Sequence, residues 1–419
     1  MSTMTGHDNG RAPSRAVILL GPDFEVQIAG LGVLQRMIYA LERAGVRSIT
    51  LLLPEGEDVS AGRLPTCANE TQLVMTTTAT LAAPTQENAI LFLWPVVLDA
   101  AAAGALIRLT LASDCVQEIE TTDRFANPVT TGVYLIPEGG RVDVAGMLAA
   151  VTGSNHDDSK RMRTRLPAGV CYPLVPGGGP GVLLAAERAL LASMRRPTDG
   201  FLAYFFDRRI STAISRYLVR TSITPNQISV LTLFPALAGA LLIAVPDPLI
   251  AVVGALLYWF STILDGCDGE VARLKYLESA DGGRLDLLCD NFGLLALFIG
   301  IVLHVHAERP GAVLFYAGAA IVAGMVAAMA IEYWWISRPK LLRQGVTERL
   351  RPADRRRQEL YQRFASRDFA YLLPILAFTG TLSWLVWATA IGVNVFWMAL
   401  LAIVIRGAAA SAATTARPS

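Results

Sequence analysis

The sequence predicts a two-part chain, a soluble α/β module followed by an all-α bundle of six transmembrane helices, with an amphipathic interfacial helix ahead of the bundle. Three observations carry that expectation. The 419 residues are 53% hydrophobic and 17% charged with a mean hydropathy of +0.44, whereas soluble chains are about 25% charged, so part of the chain must use lipid as its solvent. The apolar residues are unevenly spread: residues 1–200 read as a soluble mixture, and runs of membrane-spanning length, about 17–25 residues, follow only after about residue 226. Aspartates recur at helical spacing inside that apolar half. A net charge of +1 leaves no overall field to hold a nucleic acid.

Residues 1–14 are polar and lack the apolar core of a secretory signal, so a disordered leader is expected. The α/β module covers 15–195. Ala16 to Leu20 is a short apolar run closed by Gly21-Pro22, which suits a buried strand. Leu31 to Ala44 has helical periodicity through Leu34, Met37, Ile38 and Leu41 and stops at Gly45. Ser48 to Leu53 supplies the next strand, completing a βαβ unit that implies a Rossmann-like parallel arrangement. Ala89 to Trp94 and Gly132 to Ile136 read as further strands, with a helix over Leu98 to Leu109. Gly177 to Gly181 lacks the Lys-Ser/Thr of a phosphate loop and reads as a turn before a helix from Val182 to Arg195. Five cysteines, Cys67, Cys115, Cys171, Cys267 and Cys289, form no CxxC pair or metal-finger spacing; free thiols in a reducing compartment are expected.

The stretch from Ile28 to Val46 resembles the sugar nucleotidyltransferase fold just after its nucleotide loop. That family wraps a triphosphate with a Gly-rich loop carrying Arg and Pro-Lys. Here only Gly21 to Gln27 fills the gap, with acidic Asp23 and Glu25, and Trp94-Pro95 stands where the family's metal-binding Asp is expected. The resemblance therefore implies a retained fold with degenerate catalytic positions.

Residues 196–225 form the interfacial helix and linker. Phe205, Phe206, Ile210, Ile214, Tyr217 and Leu218 share a face, with Arg208, Arg209, Arg216 and Arg220 elsewhere, the pattern of a helix lying in an anionic membrane surface. The bundle occupies 226–405, with spans expected at about 227–245, 249–272, 283–305, 311–336, 361–381 and 384–405, and a tail at 406–419. The fifth has a short apolar part, Phe369 to Phe378. Basic residues gather on one side of these spans, which places both termini in the cytoplasm if the host is a bacterium with an inner membrane.

Asp265 and Asp268 share one face of the second span, with Ala272; Gly282, Asp286 and Asp290 share one face of the third. A short turn between the two spans makes them antiparallel neighbours, so four carboxylates converge at the cytoplasmic mouth. Each costs about 2.5–3.5 kcal/mol at membrane depth, and Arg273 and Arg284 are too few to compensate. Hard oxygen ligands at this density suit Mg²⁺ or Mn²⁺, and two ions about 3.5–4 Å apart make a phosphoryl-transfer device.

The pattern Asp265-x-x-Asp268-Gly269-x-x-Ala272-Arg273, then Gly282-x-x-x-Asp286-x-x-x-Asp290, closely resembles the motif of the CDP-alcohol phosphotransferases, also called CDP-alcohol phosphatidyltransferases, over about residues 200–405. With the module ahead of it, the layout looks like the bifunctional inositol-phosphate cytidylyltransferase/phosphotransferase enzymes. The resemblance implies that Asp265 and Asp286 bridge two metals, that Asp268 and Asp290 each complete one, and that Asp290 is the general base. It implies CDP contacts from Asn226, Ser229, Gly269, Ala272, Arg273, Ser279 and Gly282, and a homodimer. A phosphorylated acceptor would meet Arg338, Lys340, Arg343, Arg363 and Arg367, unless these are only a positive-inside anchor for anionic lipid. The expected reaction transfers a substituted phosphate from a CDP-alcohol, such as CDP-diacylglycerol or CDP-inositol, to an alcohol, releasing CMP in phospholipid biosynthesis. The alternatives are a bifunctional enzyme whose first domain makes the CDP-alcohol from CTP, a soluble domain that only regulates or scaffolds, and a divalent-cation transporter, which would distribute its carboxylates through the bilayer.

Overall fold

The computed structural model describes residues 13–20, 26–53, 71–77, 87–109, 116–122, 128–138, 162–166, 170–174, 179–194, 206–336 and 367–415. Two compact units emerge, Met1–Met194 and Arg195–Ser419.

In the first unit, β1 (Arg15–Leu19) lies between β4 (Ser48–Leu53) and β6 (Ala89–Phe92), parallel to both, and β4 pairs in parallel with β5 (Gln72–Thr77). These central strands are buried nearly throughout, as expected where a parallel sheet is covered on both faces. The helix α1 (Val33–Ala44) buries Met37, Ile38 and Leu41 and ends at Gly45, whose φ of +96° supplies the left-handed cap. It begins two residues later than periodicity suggests, because Leu31–Gly32 (β3) pairs with Gln27–Ile28 (β2) in a two-strand ribbon. Beyond β6 come β7 (Val96–Leu98), paired with β11 (Cys171–Pro173), and α2 (Ala100–Arg108), capped by Asp99 accepting from Ala102 N at 2.7 Å. The sheet is mixed rather than parallel throughout. β9 (Pro128–Ile136) runs antiparallel to both β6 and β8 (Gln117–Thr122), and β10 (Met162–Arg165) closes the edge, giving the order β10-β8-β9-β6-β1-β4-β5 among the described residues. The helix α3 (Gly179–Ala192) starts inside the glycine run expected to be a turn.

The second unit opens with α4 (Arg208–Leu218) and continues with α5 (Pro225–Ile243), α6 (Pro248–Lys275), α7 (Ala280–Glu308), α8 (Ala312–Ile336), a 3₁₀ turn at Arg367–Tyr371, α9 (Leu373–Phe378) and α10 (Leu382–Thr415). Among the described residues, five stretches are long and apolar enough to cross a membrane: Pro225–Ile243, Pro248–Lys275, Ala280–Glu308, Ala312–Ile331 and Leu382–Ala399. The apolar segment expected to form part of a further span is present as the short Phe369–Phe378; at about 1.5 Å per residue it does not reach across a hydrocarbon layer of about 30 Å. Tyr258, Leu297, Ile301, Ile321, Leu373 and Val386 are buried between the helices, while Phe234, Leu241, Leu249, Phe315, Trp384 and Ile391 are largely exposed. An exposed apolar belt of this extent, on helices of membrane-spanning length, fits a lipid surrounding.

Thr224 starts α5 with a capping box, its hydroxyl accepting from Gln227 N while Gln227 Oε1 accepts from Thr224 N, with Pro225 in the first turn. α5 and α6 touch backbone to backbone: a Cβ on Gly254 would stand 2.6 Å from Gly239 O, and one on Gly239 would stand 2.7 Å from Gly254 O. α7 comes as near to α5, since a Cβ on Gly300 would stand 2.3 Å from Ala240 O. Small residues allow the close approach that packs helices in lipid. It is this three-helix contact that brings the two acidic faces together.

Candidate active site: an aspartate cluster beside a glycine-lined cleft

Asp265 on α6 and Asp286 and Asp290 on α7 offer carboxylate oxygens that all lie within 4.8 Å of one another. Both helices place them at a similar depth. At about 1.5 Å per residue, Asp265 stands about 25 Å from the Pro248 end of α6 and Asp290 about 27 Å from the Glu308 end of α7. Asp268 is outside this trio. Ser229 of α5 donates a hydrogen bond to one of its oxygens and the Gly269 backbone N–H donates to the other, while Asp286 lies against it from α7. Arg284, counted in the sequence as a partial counter-charge, pairs instead with Asp281 at 2.8 Å on the exposed side.

A cleft of about 580 Å³, its open mouth included, adjoins the cluster. Its walls contain all seven residues expected to hold CDP, Asn226, Ser229, Gly269, Ala272, Arg273, Ser279 and Gly282, together with Asp268 and Asp286. Two helix N-termini open into it. α5 begins at Pro225-Asn226, and α7 is capped by Ser279, whose hydroxyl accepts from Gly282 N at 2.9 Å. The positive ends of two helix dipoles favour an anion there. Gly282 is held to glycine by space, since a Cβ would lie 2.9 Å from Ser279 Oγ and 3.0 Å from Asn226 Oδ1. Arg273 folds back over Gly269, 3.2 Å from where a Cβ would be. Arg273 is the one cation among the described lining residues.

A smaller cavity of about 270 Å³ lies on the other side of the trio, lined by Asp265, Asp290 and Cys289 with the hydroxyl-bearing Thr232, Ser261 and Thr262. Asp268 and Asp286 line the cleft, and Asp265 and Asp290 line the second cavity. Thr232, Ser261 and Thr262 had no sequence signal beyond their presence in an apolar run, and Leu277, Glu278 and Gly283 of the cleft wall were equally silent. Arg338, Lys340, Arg343 and Arg363 lie outside the described residues, as does the side chain of Arg367, whose backbone starts the 3₁₀ turn. Cys67 and Cys115 also fall outside; Cys171, Cys267 and Cys289 are free thiols.

Residues 222–388 match the model of a family described as CDP-alcohol phosphatidyltransferase. Among similar proteins is a bifunctional IPC transferase and DIPP synthase of Thermococcus kodakarensis, 39% identical over 132 residues, covering 31% of this chain and 29% of that one. The protein of the same name from Archaeoglobus fulgidus is 36% identical over 131 residues, 31% of this chain and 26% of the relative. A phosphatidylinositol phosphate synthase of Mycobacterium tuberculosis is 34% identical over 102 residues, 24% and 46% of the two chains. The matches thus span less than half the length of these relatives. A crystal structure of the Mycobacterium tuberculosis phosphatidylinositol phosphate synthase in apo form aligns over 45% of this chain and 94% of its own, with a TM-score of 0.30 and 22% identity.

Proposed function

We propose that this membrane protein, through residues 222–388, transfers a substituted phosphate group from a CDP-alcohol, such as CDP-diacylglycerol or CDP-inositol, to the hydroxyl of an acceptor alcohol and releases CMP, in phospholipid biosynthesis. One observation carries the reading: three aspartates within 4.8 Å of one another adjoin a cleft whose walls hold every residue expected to contact CDP. The donor set fits divalent ions, since it consists of hard carboxylate oxygens with a single arginine among the described residues of the cleft wall. We assign two Mg²⁺ or Mn²⁺ ions to Asp265, Asp268, Asp286 and Asp290; when bound, they would offset the charge of the diphosphate and of the departing CMP.

The chain's own groups do the rest. The N-termini of α5 and α7, with Asn226, Ser279 and Arg273, hold the nucleotide end. Gly269 and Gly282 leave it room. Ser229 fixes the rotamer of Asp268. Asp290 takes the proton of the acceptor hydroxyl as its oxygen bonds to the β-phosphorus and the phosphorus–oxygen bond to CMP breaks. A general base contributes about 10²–10⁴ in rate, so Asp290→Asn is expected to lower CMP release by that factor with an unchanged melting temperature. The assay incubates purified protein with Mg²⁺, CDP-diacylglycerol or CDP-inositol and a panel of acceptors, and identifies products by mass spectrometry. Full turnover by Asp290→Asn refutes the assignment.

The remaining readings belong to the same proposal. The site faces the cytoplasm of a bacterial inner membrane, with both termini on that side; the helix carrying Phe369 to Phe378 completes a six-helix bundle; the protein works as a homodimer. Arg338, Lys340, Arg343, Arg363 and Arg367 meet a phosphorylated acceptor. The first unit, taken as 15–195, is a nucleotidyltransferase-like domain without catalysis of its own. Its sheet order, four parallel strands followed by an antiparallel one, supports that fold. The indole of Trp94, buried against Gly132 beyond the end of β6, supports the loss of chemistry. A cation transporter is disfavoured because the trio occupies one depth in the helix pair.

A further inference from the structure

We propose that Glu270 is a positioning residue for the aspartate helix, acting through a lock to Arg208 and Ser211 of α4; the inference rests on the transferase reading for its activity arm only. Helical residues step by about 100°, so Glu270, two positions after Asp268, points away from the cleft. It is fully buried, at 0% exposure. One of its oxygens accepts from both Arg208 Nη1 at 3.1 Å and Ser211 Oγ at 2.8 Å. Ser211 is buried as well, and its carbonyl faces the Cys267 thiol at 3.5 Å. Gly266 makes the approach possible, since a Cβ there would stand 3.2 Å from Arg208 Nη1 and 3.6 Å from Ser211 Cβ.

A buried ion pair is a poor device for stability, because desolvation consumes most of its attraction and apolar residues of equal volume do as well. Its distinctive property is direction. Ile214, Leu218 and Ile223 also pack on this helix face, against Cys267, Val271 and Ile228, but apolar contact is non-directional and tolerates sliding and rotation. Two hydrogen bonds converging on one carboxylate oxygen do not. They set the rotation and axial register of α6 about a turn and a half from Asp265 and two residues from Asp268, where an error of about 1 Å costs about 10²-fold. The sequence carries Glu270 inside the aspartate motif at a position the motif leaves open, which is why it drew no attention there.

The test uses full-length protein in anionic vesicles and compares Glu270→Ala, Glu270→Gln, Arg208→Met and Ile214→Ala. Mn²⁺ binding is followed by the loss of the free-ion paramagnetic resonance signal, alongside melting temperature and CMP release. Glu270→Ala and Arg208→Met are expected to weaken Mn²⁺ binding by about 10-fold or more and to lower turnover at saturating donor, with Glu270→Gln recovering most of both. Ile214→Ala, in the same interface, is expected to lower the melting temperature without moving Mn²⁺ binding. Should Glu270→Ala fail to fold, Ser211→Ala, which removes one hydrogen bond and keeps the ion pair, carries the same comparison. Equal Mn²⁺ shifts in Ile214→Ala and the lock variants, or none in either, overturn the inference. Wild-type Mn²⁺ binding without CMP release refutes the transferase reading and leaves the positioning role to be decided by the binding arm.

Discussion

Cys171 shows what burial does to a single group in the soluble unit. It lies on β11, 3% exposed, and desolvation pushes its thiol up to about 12, with the charge of Asp99 adding to the rise and a hydrogen bond with Thr131 opposing it. The folded state then keeps a proton that the unfolded chain, near 9, gives up. Stability attributable to this thiol is present below about pH 9 and is lost between about 9 and 12, at about 1.4 kcal/mol per pH unit. Melting curves from pH 8 to 11 are expected to fall more steeply for the wild type than for Cys171→Ala; parallel slopes would contradict the burial argument. At this scale legibility followed distance along the chain. Asp265 and Asp268, or Asp286 and Asp290, sit a helical turn apart, so spacing alone put each pair on one face. The bond from Arg208 to Glu270 joins residues 62 apart, and no local pattern announces it. Arg284 is the exception: Asp281 stands only three residues away on the same helix, so that pairing was open to the spacing rule and was overlooked.

Elements were legible where their periodicity was strong. β1, β4 and β6 are mostly apolar runs, and the helices from Pro225 to Ile336 are apolar over membrane-spanning length. β5, β8 and β10 passed unnoticed because Gln72–Thr77, Gln117–Thr122 and Met162–Arg165 mix polar with apolar residues, and their pairing is set by neighbours instead. The close contact of α5 with α6 was also hidden, since glycines in an apolar run look like any small residue. It makes a sharp prediction. Gly254→Val places methyl groups against Gly239 O and Ile243 N, which even a Cβ would reach at 2.6 and 2.7 Å, and overpacking of this kind costs about 1–3 kcal/mol. Separation of the two helices also withdraws Ser229 from Asp268. Thermal melting in detergent is expected to drop by several degrees, about 2–4 °C per kcal/mol for a chain of this class, with CMP release reduced. Leu249→Val, on the lipid-exposed side of α6, serves as the control and is expected to melt like the wild type.

For the whole molecule the open question is whether one chain makes its own CDP-alcohol. The βαβ start was readable from residues 15 to 53, but the direction of β9 was not, because strand direction is a property of the connections between strands rather than of composition. With the sheet in view, ligands of such folds are expected beyond the carboxyl ends of the parallel strands. At the end of β6 that space is taken by Trp94, 4% exposed. Its ring fits only because Gly132, at φ +70°, carries no side chain: a Cβ there would lie 2.2 Å from the indole. The plug is thus built from Trp94, just past β6, and Gly132 on the neighbouring β9; on the nucleotidyltransferase-like fold we propose for the first unit, it would stand where a triphosphate and its metal are held. Full-length protein supplied with CTP, Mg²⁺ and a phosphorylated polyol is expected to release no pyrophosphate, yet to release CMP once a CDP-alcohol is supplied. Reopening the space with Trp94→Ala should not create CTP turnover, because no phosphate-binding cation accompanies it in the segment from Gly21 to Gln27. Pyrophosphate release by the wild type would instead make the chain a two-step enzyme, its first unit feeding the CDP-alcohol to the aspartate cluster of its second.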